Sequence, residues 1–312
     1  MTKPKYPDLH WKCPSCPYEV SKPTGSAIGM ARMNHESKVH GIRRHGTGEW
    51  ASGGNKNLFR GCRRRCRYCY RAYDDTVRRK CYVTELNGKK RHMREDEWVK
   101  MEYLPKAFNE KPKKVDGRLF FYSGHDIFPD TVDICIEHMK RWLEVGNEIL
   151  IVTKPMFECV ETMCKKLQKY KKQITFRFTI GSQRDENLRF WDGGDLAPLY
   201  DERRASLIHA FYQGYKTSVS CEPFFDDSIV ELVHQLLPYV TDTIWVGLMN
   251  RIKPRVNTKG WSKKDFAFLE EVRACQSKAK VMALHARLYH IKKVRFKDSI
   301  TTMLGLEQEA IG

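Results

Sequence analysis

Asn57-Leu-Phe-Arg-Gly-Cys62-Arg-Arg-Arg-Cys66-Arg-Tyr-Cys69-Tyr places three thiols within eight residues at C-x3-C-x2-C spacing. A loop of that length can wrap an iron–sulfur cluster, whose irons are held by cysteine thiolates. A 4Fe-4S cubane needs four ligands for saturation, so three thiolates leave one iron open to a small molecule. Arg63, Arg64, Arg65 and Arg67 surround the thiols and are expected to favour their ionised, ligating form. The competing readings are three small buried hydrophobes, or half of a zinc site completed by Cys81. Three arginines between the first two thiols speak against burial, and the position of the loop after a short apolar run favours the cluster over zinc.

A second constellation lies upstream. Cys13-Pro-Ser-Cys16 is followed, after an 18-residue gap, by His35 and His40. Two thiolates and two imidazoles make a closed tetrahedral zinc site, able to fold a segment too small for its own core. The gap exceeds the usual finger spacing and His45 can replace either histidine, so the thiol pair carries more of this expectation than the histidine pair does.

Elements must hold these residues in place. Residues 1–50 are rich in Pro, Gly, Ser, Cys and His and are expected to form a small zinc-binding unit. Residues 86–118 read as a polar connection over the surface. After it, short apolar runs alternate with stretches of helical periodicity. The runs begin at Leu119, Ile149, Thr175, Thr217 and Thr243, and the helical stretches span Val132–Val145, Phe157–Tyr170, Asp201–Gln213 and Ser228–Leu237. With a first strand at Asn57–Arg60 this makes six strand–helix units over residues 51–250. Such alternation implies a parallel sheet with right-handed crossovers, here an α/β partial (β/α)6 barrel, with residues 251–312 as a basic extension packed on it.

In barrel-like α/β folds chemistry gathers at the C-terminal ends of strands. Those ends supply His125 and Asp126, Lys154, Thr179 to Ser182, and Glu222. His125 can shuttle a proton or orient substrate. Cys221 reads as strand packing or as a hydrogen donor.

The chain carries 56 Lys+Arg against 38 Asp+Glu, a formal net charge of +18. Residues 1–117 hold 27 basic against 13 acidic side chains, whereas residues 119–269 hold 20 of each. A field concentrated in the N-terminal third attracts polyanions, nucleic acid foremost. Tyr6, Trp11, Tyr18 and Trp50 can stack on bases or cover the metal. No run of about 18 apolar residues is present to span a bilayer, and Met1-Thr-Lys-Pro-Lys-Tyr-Pro lacks the apolar core of a secretory signal, so a cytoplasmic protein without membrane contact is expected.

The thiol loop, with an aromatic before its last cysteine, resembles the signature of the radical S-adenosylmethionine (SAM) superfamily, and more closely its spore photoproduct lyase branch. The likeness covers about residues 55–250 and rests on Gly61 to Tyr70, Val152-Thr-Lys154, Phe176-Arg-Phe-Thr-Ile180 and Ala197-Pro-Leu-Tyr-Asp-Glu-Arg203. It implies that Cys62, Cys66 and Cys69 ligate the cluster and that Lys154 and Thr179 help to hold SAM. It also matches Tyr68 and Tyr70 to tyrosines of a hydrogen-atom relay. In the lyase that relay works with a cysteine near the end of a barrel strand. Here the segment reads Phe121-Tyr-Ser-Gly-His-Asp126 and has no cysteine, a departure from the lyase pattern.

The expected activity is reductive cleavage of SAM to a 5′-deoxyadenosyl radical that takes hydrogen from a nucleic-acid base, fed by a reductant such as flavodoxin or ferredoxin. Two alternatives stay open: the same chemistry on a protein or small molecule, and a zinc and iron–sulfur nucleic-acid-binding protein without turnover. The zinc expectation is checked by metal analysis. About one zinc should remain in protein stripped of iron, and it should vanish from the Cys13→Ala, Cys16→Ala double variant; equal zinc in both proteins would remove the site.

Overall fold

The computed structural model describes residues 9–12, 17, 19–22, 53–78, 82–84 and 88–306. The chain divides into two compact units, Met1–Gly48 and Glu49–Gly312. In the first, Leu9–Lys12 pairs antiparallel with Glu19–Lys22, and Lys12 meets Glu19 at 3.0 Å. Cys13, Cys16, His35 and His40, like His45 and Cys81, lie outside the described residues.

The second unit is built on six parallel strands: β1 (Arg118–Phe121), β2 (Glu148–Thr153), β3 (Ile174–Thr179), β4 (Lys216–Cys221), β5 (Ile244–Val246) and β6 (Val294–Phe296). They lie side by side in chain order, and each neighbouring pair is parallel. Every return therefore needs a crossover. Helices supply them: α1 (Val132–Glu144), α2 (Phe157–Lys166), α3 (Asp185–Asp192), α4 (Tyr200–Tyr212), α5 (Ile229–Leu236), α6 (Lys263–Cys275) and α7 (Lys278–Leu288), with α8 (Asp298–Leu304) after the last strand. An α/β sheet wound in this sequential order is compatible with a partial α/β barrel.

Its core explains the apolar runs. Ile149, Leu150 and Ile151 of β2 are all fully buried, as expected of a parallel strand covered on both faces. In α1 the buried positions Val132, Cys135, Ile136, Met139, Trp142 and Leu143 recur at three- and four-residue spacing, which turns one stripe of the helix onto the sheet.

Three regions differ from the sequence expectation. The strand before Cys62 is displaced: Phe59–Arg60 pairs antiparallel with Glu102–Tyr103, outside the main sheet. Residues 53–56 instead run parallel along the free edge of β1, with Gly53 N–H on Arg118 O at 3.0 Å, Phe120 N–H on Gly54 O at 2.8 Å and Lys56 N–H on Phe120 O at 3.0 Å. The sixth strand of the sheet is Val294–Phe296, so the C-terminal residues are part of the barrel wall and not an appendage to it. Finally, the polar connection of residues 86–118 sends Met93, Trp98 and Met101 into the core. Single apolar residues in a charged stretch leave no periodicity to find, although each one buries enough surface to hold a loop in place.

Candidate functional site

Strand geometry places the site. Successive side chains of a strand alternate between faces, so Val152 and Lys154, Thr179, and Ser220 and Glu222 share the inner face of the sheet at its C-terminal edge. All five line one cavity of about 440 Å³, and Cys62, Cys66, Cys69, Tyr68, Tyr70, His125 and Asp126 line it too. The strand-end residues and the thiol loop are thus brought together. Ser182 is the exception. It is fully buried outside the cavity wall, where its hydroxyl donates to Asp226 and accepts the Arg184 N–H at 2.9 Å.

Two glycines let the thiol loop lie where it does. Gly61 has φ +92°, and a Cβ there would come within 2.0 Å of the Trp98 carbonyl oxygen, the acceptor of the Cys62 N–H at 2.9 Å. Gly193, at the end of α3 with φ +110°, would set a Cβ 1.5 Å from the Arg64 carbonyl oxygen. Only residues without a side chain allow these backbones to approach so closely.

Arg64 is the anchor of the loop. It is 1% exposed, and its Nε donates to Asp126 at 3.1 Å while its terminal nitrogens donate to the carbonyls of Leu196 and, at 3.2 Å, Lys154. Asp126 also accepts the Thr153 hydroxyl and the Lys154 N–H, both at 2.9 Å. Burial alone would raise this carboxyl, but Arg64, Lys154 and these hydrogen bonds outweigh it and hold the pKa down at about 2. Its stabilising contribution is therefore complete above the ordinary value of 3.8 and is lost as pH falls through 2. Asp126 fastens the loop to the ends of β1 and β2.

His125 is braced in the same way. Its Nε2 accepts the Leu58 N–H at 3.1 Å and its Nδ1 lies 3.0 Å from the Asp126 carbonyl oxygen, an arrangement that assigns the proton to Nδ1. The ring stacks on Tyr122 at 4.3 Å and meets the edge of Phe59 at 5.1 Å. Burial pushes its pKa down to about 4. With both nitrogens committed to backbone, His125 orients the loop and has no nitrogen free for proton transfer in this arrangement.

Asp192, fully buried at the end of α3, organises a second set of contacts to the thiol loop. It accepts the Tyr68 phenol, meets Arg203 at 2.8 Å in an ion pair outside hydrogen-bond angles, and lies 3.9 Å from Lys154 Nζ. Arg203 in turn donates to the carbonyls of Pro198 at 2.7 Å and Thr179 at 3.0 Å. Burial would lower Lys154, but the thiols, Tyr68, Asp192 and Asp126 raise its pKa well above the ordinary value and keep it an ammonium. Tyr70 donates to the Ser123 carbonyl at 3.0 Å, and burial, then the Cys69 thiol, push its pKa up to about 12. Glu222 pairs with Lys297 at the end of β6 and accepts from Asn250 at 3.4 Å.

The thiols are set by burial and not by the arginines. Arg63 pairs with exposed Asp130, Arg64 with Asp126, and Arg67 donates to the Phe190 carbonyl at 2.8 Å. Burial raises all three thiols, Cys62 to about 12, with Asp126 raising it further. The expectation of arginine-stabilised thiolates is thus corrected: burial, which favours the protonated form, outweighs the neighbouring arginines. Among the described residues no three His, Cys, Asp or Glu side chains converge on a single ion. A cubane makes a different demand, one thiolate per iron, and three thiols along one cavity wall fit it in donor type and number. Cys69 Sγ also accepts the Ala72 N–H at 3.4 Å, a sulfur hydrogen bond of the kind that tunes cluster potentials.

Cys221 is fully buried and does not line the cavity, so it is packing. Asp192, Arg203, Lys297, Asn250 and Arg255 are the site residues that sequence reasoning missed, and Arg64, expected to act on the thiols, pairs with Asp126 instead. Only Arg203 carried a signal, because it closes one of the segments of the family resemblance. No family model matches the chain, and no curated protein sequence does either.

Removing one partner of a buried ion pair leaves an uncompensated charge, so Arg64→Met should lower unfolding stability by about 3–5 kcal/mol. Arg63→Met, which breaks an exposed pair two-fifths to three-fifths open to solvent, should cost under about 1 kcal/mol. Denaturant melts of the two variants test the anchor; equal losses would refute it.

Proposed function

We propose that the chain is a radical SAM enzyme. One observation carries the reading: three thiols of a single loop line one cavity with Lys154 and Thr179 at the C-terminal ends of parallel strands. In this reading Cys62, Cys66 and Cys69 hold a 4Fe-4S cluster, and Lys154 and Thr179 hold SAM. Such a cluster, when bound and reduced, would supply the one electron that cleaves the S–C5′ bond of SAM to methionine and a 5′-deoxyadenosyl radical, which would take hydrogen from the substrate.

The chain's own residues have distinct tasks. Lys154, an ammonium at the cavity wall, binds the carboxylate end of an amino-acid ligand. Tyr68 and Tyr70 keep their O–H, so each retains a hydrogen atom to hand on. Glu222, fixed by Lys297, offers a carboxylate oxygen to polar groups entering the cavity. Arg64, Asp126 and His125 position the loop.

Nucleic acid is the proposed substrate class, supported by the excess of 14 positive charges in residues 1–117 and none in residues 119–269 (27 less 13, against 20 less 20). A base within a duplex must be flipped out to reach a cavity of this kind. The proposed setting is the cytoplasm, with a flavodoxin or ferredoxin as electron source. No helix among the described residues is long and apolar enough to cross a membrane.

Anaerobic reconstitution with iron, sulfide, SAM and dithionite tests the chemistry. The native protein should bind about four irons and release 5′-deoxyadenosine, and Cys66→Ala should release none; production at the native rate by Cys66→Ala would remove the loop from the mechanism. The substrate class has its own test. Affinity of the full chain for DNA or RNA should fall about tenfold or more between 50 and 200 mM salt as counterions are released, and absence of binding at low salt would move a protein or small-molecule substrate ahead.

A further inference from the structure

Cys66 and Cys69 face two hollows. Besides the cavity at the strand ends, both thiol residues line a larger groove of about 1150 Å³. This groove runs between the loop and the segment from Lys253 to Trp261. The two hollows share the two thiol residues and Arg255, and Lys154, Thr179 and Glu222 line only the first.

The groove is basic. Arg65, Arg67, Lys253, Arg255 and Lys259 line it, against Glu95, Asp96 and Asp265. The acids are partly spent: Asp96 pairs with Arg94 at 3.1 Å, and Asp265 caps α6 through Ser262. Three of the cations are not. Arg65, Lys253 and Lys259 are exposed and have no ion-pair or side-chain hydrogen-bond partner among the described residues. Arg65 also sits at φ +51°, a left-handed conformation uncommon for a side chain of its size, one residue before Cys66. Uncompensated cations around a concave surface steer and hold an acidic partner.

We infer that this groove docks a small acidic one-electron carrier protein, of the flavin or iron–sulfur type, against the thiol loop. The inference rests on the function proposed above. Substrate and reductant would then reach Cys66 and Cys69 through different hollows. The electron balance closes on the two reactants: the reduced carrier loses one electron, and the SAM sulfonium gains it as its S–C5′ bond breaks to methionine and the 5′-deoxyadenosyl radical. A nucleic-acid strand is the other polyanion that fits such charges. It is disfavoured because none of Lys154, Thr179 and Glu222, the strand-end residues of the proposed substrate cavity, lines the groove.

The test uses the full chain, an acidic flavodoxin as probe, and the triple variant Arg65→Glu, Lys253→Glu, Lys259→Glu beside the three single variants. Flavodoxin Kd, measured calorimetrically at low salt, should rise at least about tenfold in the triple variant, and each single variant should shift the same way. Native binding should weaken with salt. With reduced flavodoxin as electron source, 5′-deoxyadenosine release should fall in parallel, whereas the dithionite-driven rate and the iron content of the Lys253→Glu and Lys259→Glu single variants should equal the native values. A triple-variant Kd within twofold of native overturns the inference. So does loss of single-stranded DNA or RNA binding with flavodoxin affinity unchanged, which would assign the groove to nucleic acid. If native protein with dithionite releases no 5′-deoxyadenosine, the functional reading fails, while the Kd comparison still decides the docking surface.

Discussion

The ion pair between Arg64 and Asp126 is the contact on which the site depends. Both groups are buried at the top of the sheet, with side chains 1% and 11% exposed, and taking two charges out of water is costly unless every remaining donor and acceptor is matched. Here they are matched by a local network. The guanidinium reaches two backbone carbonyls beyond Asp126, and the carboxylate accepts a hydroxyl and an amide from β2. One interaction therefore joins the thiol loop, the end of β1 and the end of β2.

Asp192 performs a corresponding task from the end of α3. Its partners, Tyr68, Arg203 and Lys154, come from the thiol loop, α4 and the end of β2. Arg203 extends the link to β3 through the Thr179 carbonyl. Lys154 thus stands between two buried carboxylates, near the thiols, and keeps its charge despite burial. The result is a cavity with a buried cation beside the thiols of Cys66 and Cys69.

Cys66 and Cys69 border two different surroundings, a cavity with strand-end polar groups and a basic groove rimmed by Trp261 and the residues 253–260.

The sequence by itself determined the parallel α/β plan, since a buried parallel strand needs a continuous apolar run and a crossover helix needs its 3.6-residue stripe. It also determined the thiol triad and the strand-end residues Lys154, Thr179 and Glu222, because spacing and strand ends are local features. Tertiary structure alone decided the rest. That Val294–Phe296 completes the sheet, and that residues 53–56 cover its other edge, depends on which edges are left unpaired after the chain has wound. That His125 braces backbone, that Ser182 turns away from the cavity, and that burial outweighs four neighbouring arginines in setting the thiols depends on distances and solvent exclusion, which no spacing encodes. Asp192 and the anchoring role of Arg64 were hidden for the same reason: a charged residue looks solvated in a sequence, and only partners brought up by the fold, Tyr68 124 positions away and Arg203 for Asp192, and Asp126 62 positions away for Arg64, make its burial stable.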